Sequence, residues 1–330
     1  MNKPLFLFLF VFIGGAVRLS AQVNLVPNPS FELYDTCPYD LGGDGQIYRA
    51  ISWFQPDTCF GNIVNSSSSD IFNSCAVGTW SVPINGAGTQ YPRTGNGYAG
   101  IGFVIGYPDS LGSREYIETK LIEPLLPGVV YCVQFYVSLA EYSYLSTDAI
   151  HLVFSDSIIY NKCWAPIHIL PSIAYNGSII RDTVSWIPVT GRYTAHGGEQ
   201  YIVIGNFYSN SDSNIDSIRT PVVDAAYYYI DDVSVSICKG TISAPNVFTP
   251  NGDGINDFFM PITDEVPVFS CNVFDRWGEE LTVFNELQSG WDGTNKNGVP
   301  VPDGVYYYII SGRGYDNKEY TSSGFVQLLR

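Results

Sequence analysis

Short apolar runs recur along most of the chain, and helical periodicity is hard to find. The runs are rich in Val, Ile, Tyr and Phe, and clusters of Gly, Pro, Asn, Asp or Ser bound them, which is typical of β-strands and their turns. The clearest examples are residues 98–104, 116–121, 129–139, 150–154, 200–207, 226–237, 268–274 and 305–310. Many short strands joined by long polar connections favour antiparallel sandwiches over parallel βαβ units. The pattern therefore predicts an all-β protein.

A small, polar segment interrupts this pattern near residue 240. Residues 238–245 read C-K-G-T-I-S-A-P, and a new motif begins directly after them. A chain of 330 residues corresponds to about two domains at the usual ~150 residues each. We therefore expect a larger domain at 22–238, a linker at 239–244 and a smaller domain at 245–330.

The composition limits the classes of function. The net charge is −16 and the isoelectric point is about 4.4, so phosphate backbones and anionic lipid surfaces would repel the chain. Neither nucleic-acid binding nor charge-driven adhesion to lipid is expected. The 24 Tyr, 19 Phe and 6 Trp offer far more apolar surface than a disordered chain carries. This composition indicates a folded, β-rich extracellular protein.

The first 21 residues have the three parts of a secretory signal peptide. Lys3 gives a positive start, residues 5–13 are apolar without interruption, and Leu19-Ser20-Ala21 precedes the expected cleavage point. The alternative is an N-terminal membrane anchor, but a spanning helix needs ~20 apolar residues and this run is shorter. We expect export through the inner membrane and no transmembrane segment in the mature chain, which would be extracellular or attached to the outer cell surface.

Seven cysteines follow the expected cleavage point, at positions 37, 59, 75, 132, 163, 238 and 271. An exported protein meets an oxidising compartment, so some of them should pair, and an odd number leaves at least one free or intermolecular. A disulfide is plausible within the polar cluster of Cys37, Cys59 and Cys75. Cys132 lies inside an apolar run, and we interpret it as a small buried hydrophobe. The sequence leaves the connectivity open.

Five motifs appear in order between residue 245 and the last residue. They are P-N-V-F-T-P-N-G-D-G-I-N-D-F-F at 245–259, V-F-D-R-W-G-E at 273–279, W-D-G-T at 291–294, V-P-D-G-V-Y-Y-Y at 301–308 and G-F-V-Q-L-L-R at 324–330. This series resembles the gliding-motility-associated C-terminal domain of Bacteroidetes, the type B sorting signal of the type IX secretion system. The resemblance implies a small immunoglobulin-like sandwich that outer-membrane secretion machinery recognises after export to the periplasm. The cargo would then be released or retained at the surface.

The first of these motifs contains a polar turn with two possible roles. Asn251, Asp253, Asn256 and Asp257 carry side-chain oxygens close together, and the glycines between them permit a sharp turn, as in part of a Ca²⁺ loop. An EF-hand loop has Glu at its twelfth position, and counting from Asn251 puts Ile262 there, so the segment is not an EF-hand. In the alternative reading, these Asn and Asp side chains cap their own backbone amides. Both interpretations remain open.

The two ends of the larger domain also carry a resemblance. N-P-S-F-E at 28–32, I-D-D-V-S at 230–234 and the hairpin that begins L-L-P-G at 125–128 resemble galactose-binding-like jelly rolls, the fold of many carbohydrate-binding modules. In such modules the first and last strands lie side by side and share a structural Ca²⁺. The resemblance therefore implies a larger jelly-roll sandwich with a possible calcium site.

That implied site would use Glu32 and Asp231, with Asp232 as a close alternative. Strand alternation places Asp231 on the same face as the apolar Val233 and Val235. A carboxylate on a core face is costly unless it is paired or binds a metal ion. In the alternative reading, Asp231 and Asp232 are solvated charges at the end of a strand.

A sugar-binding site would need exposed aromatic faces with polar groups beside them. Candidates in loop-like or strand-edge positions are Trp80, Tyr91, Tyr98, Arg114, Tyr116, Tyr142, Tyr144 and Trp186. Each has an alternative role in the core or on a sheet face, and the apolar setting of Trp186 favours the core.

Signatures of catalysis are missing from the sequence. It contains neither H-E-x-x-H nor G-x-S-x-G, although a glycosidase needs only two suitably placed carboxylates and is not excluded. We expect a non-catalytic protein, exported by the type IX system, whose jelly roll binds extracellular glycan. The alternatives are a surface adhesin or structural protein that contacts protein partners and, less favoured, a glycoside-active enzyme.

Overall fold

The fold consists of strands joined by turns and loops. The computed structural model describes residues 23–39, 45–56, 69–106, 113–160, 166–218, 224–285 and 290–330. The expected signal peptide lies outside these residues, as do Cys59 and Cys163. The described part contains two short 3-10 helices, Ile47–Arg49 and Gly78–Trp80, and no α-helix. None of its helices is long and apolar enough to cross a membrane.

Twenty-one strands follow one another along the described chain. They are β1 (Trp53–Phe54), β2 (Asp70–Asn73), β3 (Ile84–Asn85), β4 (Gly88–Thr89), β5 (Gly97–Ile105), β6 (Tyr116–Lys120), β7 (Val130–Leu139), β8 (Leu145–Thr147), β9 (His151–Ser155), β10 (Ile173–Ala174), β11 (Ile187–Thr194), β12 (Tyr201–Gly205), β13 (Ile215–Ser217), β14 (Ala225–Ile237), β15 (Thr241–Ser243), β16 (Val247–Phe248), β17 (Ile262–Asp264), β18 (Val268–Phe274), β19 (Glu280–Phe284), β20 (Gly304–Arg313) and β21 (Glu319–Leu328).

The larger sandwich is formed by two five-stranded antiparallel sheets. Sheet A has the order β1-β6-β12-β9-β10, and sheet B has the order β11-β7-β14-β5-β2. Apolar side chains from both sheets, among them Phe103, Phe135 and Ile204, are fully buried in one core. On β7, buried and partly exposed positions alternate, because successive residues of a strand point to opposite faces. The all-β sandwich prediction is confirmed.

The first described residues run beside the last strand of this sandwich. The amide of Leu25 donates to the carbonyl oxygen of Val235 at 2.7 Å. The side chain of Asn24 donates to the carbonyl of Val233 and accepts from the amide of Val235, each at 3.0 Å. The side-by-side arrangement implied by the jelly-roll resemblance is therefore present.

A second layer covers part of the outer face of sheet B. The segment 74–96, which includes the second 3-10 helix and the β3–β4 hairpin, packs Trp80 against Phe72 with ring centroids 5.8 Å apart. Tyr98 and Tyr229 complete this aromatic cluster at a centroid distance of 4.9 Å. The cluster fixes the segment on the sheet, and the segment carries residues 89–93 of the site described below.

The disulfides differ in part from the sequence interpretation. Cys37 pairs with Cys75, which confirms a disulfide within the predicted cluster. Cys132 pairs with Cys238, so its interpretation as a small buried hydrophobe is wrong. Cys132 lies on the outward-facing, partly exposed row of β7, opposite Ser236 of β14, and Cys238 follows directly after that strand. Among the described cysteines, Cys271 alone is free, and its thiol is buried.

The C-terminal part has its own sheet and its own core. Its sheet order is β16-β21-β20-β18-β19, with β16 parallel to β21 and the other neighbours antiparallel. Phe248, Phe259, Trp291 and Ile310 are buried in a cluster separate from the larger core. The predicted linker at 239–244 contains β15, which pairs with β17, because Ile242 packs onto this second core.

Candidate ligand-binding cleft

Four of the predicted sugar-contacting residues are buried. Trp80, Tyr98, Arg114 and Tyr116 are each less than a tenth exposed. Tyr98 donates its hydroxyl hydrogen to the carbonyl of Gln90 at 3.0 Å, and the Arg114 guanidinium donates to the carbonyl of Tyr208 at 3.0 Å. Their planar faces are covered by protein, so these four side chains have structural roles and do not form a surface site.

Two other candidates come together beside an open cleft. The indole N–H of Trp186 donates to the carbonyl oxygen of Tyr91 at 3.0 Å, while Tyr91 itself is 69% exposed. The cleft has a volume of about 590 Å³, which lies within the usual range for small-ligand sites. It is lined by Thr89, Gln90, Tyr91, Pro92, Arg93, Glu141, Thr183, Val184 and Trp186. Tyr142 and Tyr144 lie outside this lining.

The backbone on either side of Tyr91 is tightly held. The side chain of Gln90 is buried and donates to the hydroxyl of Ser138 at 2.6 Å and to the carbonyl of Val184 at 3.3 Å. Its side-chain oxygen accepts from the Tyr91 amide at 2.9 Å. The exposed ring of Tyr91 therefore projects from a fixed backbone.

Two carboxylates hold the loop that follows. We call residues 90–97 the cleft loop. Asp231 is fully buried and accepts from the amides of Arg93 at 2.8 Å and Thr94 at 3.3 Å. Glu32 accepts from the amides of Asn96 at 2.7 Å and Gly97 at 3.0 Å. Burial, followed by the charge of Asp232, raises the pKa of Asp231 to about 8.

Asp232 turns toward the same loop. A register shift in β14 between Asp231 and Ser234 gives Asp232 a φ of 50°. One of its oxygens accepts from the hydroxyls of Ser30 at 2.5 Å and Thr94 at 2.6 Å, and the other forms an ion pair with Arg93. Burial alone would raise the pKa of Asp232, but these hydrogen bonds outweigh it and hold the pKa below its usual range.

The prediction that Asp231 shares a face of the strand with Val233 and Val235 is wrong. Val233 and Val235 point into the large core, whereas Asp231 lies on the opposite side of β14, which it shares with Tyr229. Simple alternation fails because the bulge adds a residue to the strand and reverses the faces beyond it.

The predicted calcium ligands lie around the cleft loop and not in one tight cluster of side chains. Glu32, Asp231 and Asp232 each accept hydrogen bonds from the cleft loop, and the guanidinium of Arg93 supplies positive charge beside them. Across the described ranges, no three His, Cys, Asp or Glu side chains lie close enough together to hold a metal ion. A cation would have to displace donors that these oxygens already have.

The polar turn of the C-terminal motif is capped by its own side chains. Asp257 accepts from the amides of Asn251 at 3.0 Å and of Gly252 and Gly254 at 2.8 Å, and these bonds lower its pKa. Asp253 accepts from the amide of Ile255 at 2.8 Å. Asn256 has a φ of 55°, and its backbone carbonyl, rather than its side chain, accepts from Thr249. The geometry fits the self-capped turn.

Sequence reasoning missed a pair of buried carboxylates next to sheet B. The hydroxyl of Tyr227 donates to Asp70, whose pKa is raised by burial and then by the charge of Glu115. Burial raises the pKa of Glu115 to about 7, although the hydrogen bond that it accepts from the Gly102 amide lowers that pKa. Neither carboxylate lines the cleft. An isolated acidic residue within a polar stretch gives no signal in the sequence that it will be buried.

Comparison with known proteins gives one family match, in the C-terminal part. Residues 242–328 match the CHU_C type IX secretion signal domain. No curated protein matches the chain.

Among solved structures, similarity is low. The K1 cleaved adhesin domain of Lys-gingipain from Porphyromonas gingivalis W83 is 16% identical, with 64% of this chain and 96% of that chain covered and a TM-score of 0.29. The glycoside hydrolase domain of Endo-D from Streptococcus pneumoniae R6 is 8% identical, with 86% and 42% covered and a TM-score of 0.22.

Proposed function

We propose that the type IX secretion signal domain at residues 242–328 directs export of this chain to the cell surface or the extracellular space, where the larger sandwich binds a neutral glycan without catalysis. The division of labour follows the predicted domains, 22–238 for binding and 245–330 for sorting. The partners would be the outer-membrane secretion machinery and an extracellular glycan. The observation that carries the binding proposal is the exposed ring of Tyr91 at the edge of the cleft.

The chemistry of the cleft suits a sugar. A pyranose ring presents a flat array of C–H groups that packs on an aromatic face, and its hydroxyls need hydrogen-bonding partners nearby. Tyr91 offers the face, and Thr89 and Thr183 place hydroxyl groups along the same lining. The same combination of an aromatic anchor with surrounding polar groups is typical of ligand pockets.

The charges of the cleft favour a neutral ligand. Among the described residues of the lining, Arg93 is the single cationic one, and its ion pair with Asp232 compensates its charge. Glu141 adds a negative charge, and the whole chain carries −16. An acidic glycan would therefore approach a site without a free cation to bind it.

The lining also favours binding over hydrolysis. Most glycosidases use two carboxyl groups on opposite sides of the scissile bond, about 5–10 Å apart. In the part of the cleft lining that the structure describes, Glu141 is the one carboxylate. Turnover of a polysaccharide that is lost on Glu141→Gln would revive the enzyme alternative.

A glycan array tests the binding proposal. The full-length secreted protein should bind neutral oligosaccharides, and free sugar should compete. Tyr91→Ala should weaken binding by about tenfold or more, as expected for an aromatic anchor. Tyr142→Ala is the matched control, because Tyr142 is also exposed, at 39%, but lies outside the lining, and it should bind within about twofold of the parent. A silent array together with retained adhesion to surface proteins would favour the adhesin alternative.

Deletion tests the export proposal. A chain that lacks residues 245–330 should accumulate in the periplasm, whereas the full chain should reach the surface or the medium. Normal surface delivery of the truncated chain would overturn the sorting role.

A further inference from the structure

We infer that Glu32, Asp231 and Asp232 form a metal-independent clamp that positions the cleft loop, with the guanidinium of Arg93 serving as the cation of the cluster. The clamp is a feature of the folded chain itself. Its effect on ligand affinity rests on the proposed function.

The backbone of the cleft loop uses the carboxylates as its hydrogen-bond acceptors. Arg93 and Thr94 donate to Asp231, and Asn96 and Gly97 donate to Glu32. Arg93, Thr94 and Asn96 lie outside the strands, so no sheet ladder supplies acceptors for their amides, and the two carboxyl groups do so instead. Four amides of one short loop are thus satisfied by residues from the two ends of the larger sandwich.

Positive charge is already present beside Asp232. The Arg93 guanidinium pairs with Asp232 and lies 3.5 Å from the centroid of the Tyr136 ring. Stacking on an aromatic face and pairing with a carboxylate are both favourable for a guanidinium, so the group is fixed from two sides. Ca²⁺ next to it would be repelled and would also have to replace hydrogen-bond donors at the carboxylate oxygens.

The loop also approaches Glu32 too closely for an ion between them. Gly95 has a φ of 65°, and a Cβ atom built on it would overlap the Glu32 carboxylate. The direct hydrogen bonds from Asn96, at 2.7 Å from its amide and 3.1 Å from its side chain, fill the space that a bridging cation would need.

The clamp is connected to the cleft through a short stretch of backbone. Tyr91 lies two residues before Arg93, and its carbonyl accepts from Trp186. If the clamp opens, the segment that carries the Tyr91 ring loses the contacts after it and keeps those of Gln90 and Trp186. Glu32, Asp231, Asp232 and Arg93 are therefore positioning residues for the ligand contact.

Hydrogen–deuterium exchange of the full-length protein tests the clamp directly. The amides of Arg93, Thr94, Asn96 and Gly97 should be equally protected in EDTA and in millimolar CaCl₂. Glu32→Ala and Asp231→Ala remove the acceptor groups and should each raise the exchange rates of the amides that they bind by about tenfold. Asp216→Ala is the matched control, because it removes an exposed ion pair with Arg181 elsewhere on the sandwich and should leave the loop unchanged. Protection that requires CaCl₂, or that survives both clamp variants, overturns the inference.

Arg93 variants separate the clamp from the proposed function. Arg93→Lys keeps the charge without the planar stacking group and should preserve most of the protection. Arg93→Ala should lose the protection of the Thr94 amide. The melting temperature of the whole protein should change by a few degrees at most. Affinity for the neutral oligosaccharide that binds best on the array should fall slightly in Arg93→Lys and further in Arg93→Ala. If the parent protein binds no glycan, the proposed function fails, and the exchange rates still decide whether the clamp exists.

Discussion

Arg192 of β11 donates to both carboxylate oxygens of Asp264 at the end of β17, at 2.7 and 2.5 Å. It also reaches Glu265 at 3.1 Å. The hydrogen bonds from Arg192 lower the pKa of Asp264, and burial raises that of Glu265. We call this contact of Arg192 with Asp264 and Glu265 the Arg192 fork. It joins the larger sandwich to the secretion signal domain, in addition to the covalent connection through β15.

The fork should contribute little to stability. Both side chains are about half exposed, so water and salt screen their attraction. A double-mutant cycle with Arg192→Ala and Asp264→Ala should give a coupling free energy of about 1 kcal/mol or less, and the coupling should shrink further in 1 M salt. The measurement is denaturant unfolding of the four proteins. A salt-independent coupling of several kcal/mol would contradict this prediction.

The Cys132–Cys238 disulfide should contribute more than the Cys37–Cys75 disulfide. The two bonds close loops with sequence separations of 106 and 38 residues, and the entropy that a cross-link removes from the unfolded chain grows with loop length. Replacing both cysteines by serine should lower the free energy of unfolding by about 5 kcal/mol for the first pair and about 4 kcal/mol for the second. Chemical denaturation in non-reducing buffer gives both values. A larger loss from the 37–75 pair would show that native contacts, rather than loop length, dominate.

Glu118 should make stability depend on pH. It is fully buried on β6, and one of its oxygens has no hydrogen-bond partner among the described residues. Burial raises its pKa from 4.5 to about 8, so the folded protein keeps a proton that the unfolded chain releases. The free energy of unfolding of the parent should therefore fall relative to Glu118→Gln as the pH rises from about 4.5 to about 8.

Unfolding curves at several pH values measure this difference. The exposed Glu319→Gln is the control and should run parallel to the parent. A parent curve that gains stability relative to Glu118→Gln over the same range would show that Glu118 is ionised in the folded protein.

Gly95→Ala should destabilise the cleft loop by at least about 2 kcal/mol, because it combines an unfavourable backbone angle with a clash against Glu32. Gly128→Ala is the matched control. Gly128 has a φ of 74° with open space around it. Gly128→Ala should therefore lower the free energy of unfolding by only about 1 kcal/mol, from the unfavourable backbone angle. Thermal unfolding compares the two, and equal losses would argue against the close approach of the loop to Glu32.

The fold could be predicted because its signal is local. Strands β7 and β18 alternate buried and partly exposed positions, whereas β5 is buried on both faces and carries almost no polar residue. The C-terminal motifs supply turns at fixed positions. The strand β15 within the predicted linker gave no signal in the sequence, because a three-residue strand has too few positions to show alternation. The face of Asp231 was missed for a similar reason, since the bulge in β14 leaves no mark in composition.

The site was predictable only in part. Tyr91 and Trp186 were among the candidates, but so were Tyr98 and Tyr116, which are buried. Whether an aromatic residue in a polar stretch is exposed depends on which segment covers the outer face of the sheet. That depends on packing between residues far apart in the sequence. The clamp likewise joins residues 32, 93–97 and 231, so spacing along the chain gives no sign of it.

The position of β14 has a consequence for the order of assembly. This strand comes last in the larger sandwich but lies in the middle of sheet B, between β7 and β5. A chain that crosses a membrane from its N-terminus therefore cannot complete the sheet until residues 225–237 have emerged. The pairings of β14 with β5 and β7 join segments that lie far apart in the sequence, so closing sheet B is a non-local step and is expected to be slow.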